Sequence, residues 1–188
     1  MVGLVALLVV LGILGLVAIV GIGIYNGLVG SRNQVDNAWA QIDVQLKRRH
    51  DLIPNLVETA KGYMKHERET FESITKDRSA AMGAKSVSEV AKSEGQLADA
   101  LSKFMLVVEN YPELKANQNF LALQEELTST ENKIAFSRQN YNDQVLFYNN
   151  KIQMFPSNVV AGMFVFTKRD FFQVETALER EAPKVSFS

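Results

Sequence analysis

The chain has 188 residues, twenty basic and twenty-one acidic side chains, a net charge of −1 and no cysteine. That length suits one domain with an appendage. The missing cysteines exclude disulfides, thiolate metal sites, a cysteine nucleophile and a lipoprotein anchor, and the balanced charge marks no nucleic-acid binder.

The first 24 residues, MVGLVALLVVLGILGLVAIVGIGI, carry no charged or polar side chain. As a helix they span about 36 Å at ~1.5 Å per residue, enough for a hydrocarbon core of roughly 30 Å. A basic start and a small-x-small cleavage site are absent, so residues 1–24 are expected to be an uncleaved anchor in contact with membrane lipid. Gly12, Gly15, Ala18, Gly21, Gly23 and Gly27 give the anchor a small-residue face on which two copies can pack. Arg32, Lys47, Arg48 and Arg49 follow the span, which places the bulk of a single-pass chain in the cytoplasm.

Residues 25–155 are expected to form a bundle of long helices. Apolar residues at spacings of three and four, from Val35, Trp39 and Ile42 through Ile53, Leu56 and Ala60 to Tyr63, Phe71 and Ile74, predict one helix over about residues 31–80. Pro54 lacks the amide that would bond the His50 carbonyl, which predicts a kink without a helix end. Gly83 suits a helix end, and Ser88 before Glu89 suits the next start. A second helix is expected over about residues 87–110, with its stripe at Val87, Val90, Leu97, Leu101, Phe104 and Val108, stopped by Pro112. A third, over about residues 116–153, repeats every seven residues at Phe120, Leu127, Ile134, Tyr141 and Tyr148. Arg49, Glu67, Glu131 and Arg138 interrupt otherwise apolar rows. A charge so placed must be paired or reach solvent, so these four are candidates for setting the register of the bundle.

Pro156 stops the third helix, and residues 156–188 change character. Val159, Val160, Met163, Phe164, Phe166, Phe171 and Phe172 form an apolar cluster expected to cap the bundle, with a partner or membrane contact as the alternative. The stretch RDFFQVETALERE before Pro183 has length for a short helix packing on the bundle or a neighbour. With no convincing strand pair, the fold class is all-α: a transmembrane helix, an antiparallel long-helix bundle and a short helical tail.

Chemistry finds little support. His50 and His66 lie sixteen apart on the first helix without a Glu-x-x-His pair, so no metal is expected and both are taken as solvated or capping. No phosphate-binding glycine loop or nucleophile elbow occurs, so no cofactor and no catalytic residue are assigned.

The segments YNGLV, NAWAQIDVQLKRRHDLIPNLVETAKGY, HERE, ENYPELKANQNFLALQEELTSTENKIAFSRQNYN, YN at Tyr148 and Asn149, FPSNVVAGMF and EAPKVSF occur in this order. Together they resemble the LemA family of bacterial membrane-anchored helical proteins. The resemblance implies one N-terminal anchor at the inner membrane, a cytoplasmic helical bundle and no established catalytic activity. The function expected is a non-catalytic scaffold or adaptor acting as a homo-oligomer. The alternative is a sensor or regulatory module that binds a cytoplasmic signalling protein or a small ligand.

Overall fold

The computed structural model describes residues 1–173. Among these residues six helices follow in order: α1 (Val2–Lys61), α2 (Arg68–Gly83), α3 (Val87–Val108), α4 (Pro112–Lys115), α5 (Gln118–Gln153) and α6 (Ser157–Met163). No strand occurs among the described residues, and the class is all-α. The chain divides into two compact units. Unit 1 comprises Met1–Gln41 and Gln139–Arg169, and unit 2 comprises Ile42–Arg138 and the segment from Asp170.

The apolar anchor and the first amphipathic segment are one continuous helix, α1, unbroken at Gly27 and Gly30. It stops well before the residue 80 that periodicity suggests. Gly62 has weak helical preference, the amides of Tyr63 and Met64 both turn back to the Ala60 carbonyl, and Met64 swings into the core. The seam therefore resumes on a separate helix, α2, where Phe71 and Ile74 are buried.

Pro54 lies inside α1 without ending it. The His50 carbonyl, which has no amide at position 54 to accept from, takes a hydrogen bond from Arg78 Nε of α2 at 2.7 Å. A guanidinium on the facing helix thus replaces the bond that the proline removes.

The start of α3 is set two residues earlier than the sequence reading. Ser86, not Ser88, is the cap: its hydroxyl accepts from the Glu89 amide at 3.2 Å, and the Glu89 carboxylate accepts from the Ser86 amide at 3.1 Å. Hydrogen bonds from the Lys85 and Ser86 amides hold the Glu89 carboxyl below its ordinary value. Tyr111, at φ −122° and ψ 78°, is kept out of the α region by the ring of Pro112, and Asn117 caps α5 through the amides of Asn119 and Phe120.

The core of unit 2 is formed by Ile53, Leu56 and Ala60 of α1, Phe71 and Ile74 of α2, Leu97, Leu101 and Phe104 of α3, and Phe120 and Leu127 of α5. Phe104 sits between two other rings, 6.1 Å from Phe71 and 6.3 Å from Phe120. In unit 1, Trp39 of α1 packs edge-on against Tyr141 of α5 at 5.3 Å. Ten residues further along α5, Lys151 Nζ donates to the Gly27 carbonyl at 2.7 Å. The two segments are therefore antiparallel, with α5 running toward the apolar span.

We expect Arg78→Met to lower unfolding stability by about 1–3 kcal/mol, the cost of an orphaned, partly buried carbonyl. Pro54→Ala restores the amide and should remove most of that loss, a coupling measurable by chemical denaturation of the four proteins in the cycle.

Candidate functional site

In unit 2 a buried polar cluster interrupts the apolar core. Arg49, 2 % exposed, lies between two carboxylates from different helices. Its Nη1 donates to Glu94 Oε2 of α3 at 2.9 Å, and its Nε is 2.8 Å from Glu131 Oε1 of α5, an ion pair without hydrogen-bond alignment. The second oxygen of Glu94 is 2.6 Å from His50 Nε2. An ionised carboxylate only accepts, so that histidine nitrogen carries the proton. Consecutive residues of α1 thus hold both oxygens of one buried glutamate. The Nη2 of Arg49 has no hydrogen-bond partner among the described residues.

The sequence pattern explains why the cluster forms here. Position 94 lies four residues after Val90 and three before Leu97, on the apolar stripe of α3. Arg49 falls on the α1 seam and Glu131 on the companion row of α5. Three stripes that meet in one core bring their charged members together, and mutual neutralisation is what makes their burial tolerable.

An open cavity of about 610 Å³ adjoins this cluster, lined by Arg49, Glu94 and Glu131 together with Lys92, Asp99, Asn132, Arg138 and Phe172. Arg138 is half-buried in its wall. Burial raises the carboxyl of Glu131 above its ordinary value; the Arg49 charge opposes the rise and the Glu94 charge adds to it.

Other sequence-based expectations change. Glu67 is not on the α1 seam: it precedes α2, and its carboxylate accepts from Tyr111 Oη at 2.9 Å, which holds the Tyr111 phenol above its ordinary value. His50 is buried rather than solvated. Lys47 and Arg48 stay on the surface, where Arg48 reaches Glu126 at 3.4 Å. Gly27 is occupied within the chain, since a Cβ there would lie 3.1 Å from Lys151 Nζ. Gly12, Gly15, Gly21 and Gly23 face no other atom of the described chain.

The apolar cluster after Pro156 does not gather into one cap. Phe172 is buried in unit 2, whereas Val160 and Phe166 are half-buried in unit 1 and Val159, Met163 and Phe164 are exposed. The reason is the brevity of α6: two turns bury Ala161 and leave the remaining apolar positions outside. Residues 169–173 are not helical, and the rest of the tail helix expected before Pro183 lies outside the described residues.

The returning segment is instead held by side chains of α5. Tyr148 Oη donates to the Thr167 carbonyl at 3.0 Å, and the Asn149 amide both donates to the Arg169 carbonyl and accepts from its amide, each at 2.9 Å. Arg169 also pairs with Asp36 of α1 at 2.9 Å.

The family model described as "LemA family" matches residues 38–187. The chain belongs to the LemA family. A protein named LemA from Metamycoplasma hominis is 30 % identical over 142 residues, covering 74 % of this chain and 64 % of that protein. Magnetosome protein MamQ 2 of Paramagnetospirillum magneticum is 24 % identical over 179 residues, covering 81 % of this chain and 66 % of the relative. MamQ of Magnetospirillum gryphiswaldense is 22 % identical over 180 residues, covering 81 % and 66 %. This LemA-family chain spans just under two thirds of the length of these relatives. None of their names denotes an enzyme. Among the described residues one helix, α1, is long and apolar enough to cross a membrane. Among the described residues no group of three or more histidine, aspartate or glutamate side chains is arranged to hold a metal ion.

Arg49→Met should cost about 3–5 kcal/mol, because it leaves Glu94 buried without its cation. Adding Glu94→Leu removes that charge too and should restore a large part of the loss, read from denaturation midpoints. For Glu131 the folded value is raised, so its favourable contribution is full below the unfolded value, about 4.3, and is lost as pH rises through the folded one. The Tm of the natural protein minus that of Glu131→Gln should therefore fall as pH increases from about 4 toward 7. A difference that grows with pH would mean the Arg49 attraction outweighs desolvation.

Proposed function

We propose that this LemA-family protein is a single-pass scaffold or adaptor of the bacterial inner membrane. It is held there by residues 1–24, with the remaining chain in the cytoplasm, and it acts by self-association without catalysis. The observation that carries this reading is an apolar surface left open in unit 2. Phe136 of α5 is 75 % exposed, and Leu121 of α5 and Val44 of α1 are also outside the core. Leu121 and Phe136 flank an open groove of about 920 Å³ that Gln45 borders from α1. Large exposed apolar groups around a groove are what an isologous contact between two copies buries. The small-residue face of the anchor supports a second contact between copies within the bilayer.

The cavity beside Arg49 favours a second reading, a regulatory module for a small acidic ligand. Its wall offers the unpartnered Nη2 of Arg49 together with Lys92 and Arg138. A ligand carboxylate or phosphate held there would complete the guanidinium's hydrogen bonding. The two readings differ in what happens without ligand: a scaffold assembles alone, and a sensor stays small.

Mass photometry of the full chain in lipid nanodiscs tests the first reading. A discrete oligomer that survives dilution is expected, and Leu121→Asp with Phe136→Asp should shift it toward monomer. A monomeric natural protein would overturn self-association as the function.

A further inference from the structure

Residues 152–167, IQMFPSNVVAGMFVFT, contain no charged side chain and are bracketed by Lys151 and by Lys168 and Arg169. Their place in unit 1 is fixed by contacts with α1. Tyr141 packs on Trp39, and Lys151 reaches Gly27 and Ser31, so α5 ends, at Gln153, beside the end of the apolar stretch of α1, and Phe155 follows two residues later. The chain then turns through α6 and comes back past the same point: the Phe164 ring is 4.7 Å and the Phe166 ring 5.8 Å from the ring of Tyr25. Arg32 lies over Phe166 at 5.3 Å from its centroid, on the side away from the span. The turn therefore sits at the last residues of the apolar stretch of α1.

The turn is also the least covered apolar part of unit 1 outside the span. Phe155 is 82 %, Met163 73 % and Val165 77 % exposed. The backbone at Val165 has φ 55°, where an L residue costs roughly 1–2 kcal/mol and glycine almost nothing. It closes α6 as a Schellman turn, with the Phe166 amide donating to the Ala161 carbonyl at 2.9 Å and the Val165 amide to the Gly162 carbonyl at 3.5 Å. A β-branched residue at the position that favours glycine, held outward, gains nothing from water. In an acyl-chain environment its side chain, like those of Phe155 and Met163, is solvated favourably.

We propose that the α5–α6 turn, residues 154–165, is a second membrane contact of this protein. It seats among the acyl chains just below the headgroups of the leaflet from which α1 emerges. Phe155, Met163 and Val165 contact lipid, Tyr25 and Phe164 form an aromatic belt at the same depth, and Lys168 follows the turn toward the phosphates. The inference rests on the reading of residues 1–24 as a membrane anchor. Much of the turn's backbone polarity is met within it, which suits that depth: Ser157 Oγ donates to the Lys151 carbonyl at 2.6 Å, and the Val160, Ala161 and Gly162 carbonyls accept from the amides of Phe164, Phe166 and Val165.

The natural chain lacks cysteine, so a single introduced cysteine carries one nitroxide label. Leu14→Cys, Asn37→Cys, Phe155→Cys and Met163→Cys all alter exposed side chains and leave the packing intact. The full chain is reconstituted in phosphatidylethanolamine and phosphatidylglycerol nanodiscs, and collision of each label with oxygen and with a water-soluble nickel chelate is measured. Labels at 155 and 163 are expected to favour oxygen several-fold over the label at 37, approaching the label at 14. Water-like values at 155 and 163, or protection from both reagents as under a protein partner, with a lipid-like value at 14, would overturn the turn's membrane contact alone. A water-like value at 14 would overturn the anchor and the turn with it.

Discussion

The buried guanidinium of Arg49 is the constraint on which unit 2 depends. It joins α1 to α3 through Glu94 and to α5 through Glu131, beside an otherwise apolar cluster contributed by the same helices. Such a charge is costly out of water and tolerable in one arrangement only, with its carboxylates opposite. Apolar stripes slide past one another at little cost, whereas this cluster is satisfied in a single register. His50 and Pro54 extend the same constraint to α2. The histidine occupies the second oxygen of Glu94, and the carbonyl that the proline frees is bound by Arg78. Within about one and a half turns of α1, α2 and α3 are fixed by charge-assisted hydrogen bonds and α5 by an ion pair.

Unit 1 is built on a different principle. Its core is narrow, and polar groups hold the chain where apolar area is scarce: Lys151 on Gly27 and Ser31, Tyr148 and Asn149 on the returning backbone, and Arg169 on Asp36. What it leaves uncovered is apolar and lies beside the end of the span. Exposed apolar surface of this extent is uncommon on soluble domains, which is what motivates the proposed lipid contact of the turn. The polar cluster of unit 2 is arranged for neutralisation.

Much of this organisation is legible in the residues. The heptad row of α5 is buried along its whole length, from Phe120 through Leu127, Ile134 and Tyr141 to Tyr148, because a long amphipathic helix leaves its period in the sequence. Pro54 stays within its helix, and Pro112 and Pro156 punctuate the chain, because their missing amides act locally. The break at Gly62 is not legible, since Tyr63 and Met64 keep the apolar spacing while the backbone turns. Glu94 was hidden for the opposite reason: a lone charge inside the stripe between Val90 and Leu97 looks like a gap, and only the facing Arg49 gives it meaning. His50 follows from the same pairing. The division of the apolar segment after Pro156 between two units depends on tertiary packing, such as that of Phe164 on Tyr25, that no local period encodes.

Hydrogen exchange of the full chain in nanodiscs, read by mass spectrometry at neutral pH, tests the role of the Arg49 cluster most directly. Amides near residue 49 in α1, near 94 in α3 and near 131 in α5 should be the slowest in unit 2 and should open together, because the same charges bind all three. If those segments exchanged independently, or as fast as the ends of their helices, the cluster would be a passenger in an apolar core and the account of this fold would be wrong.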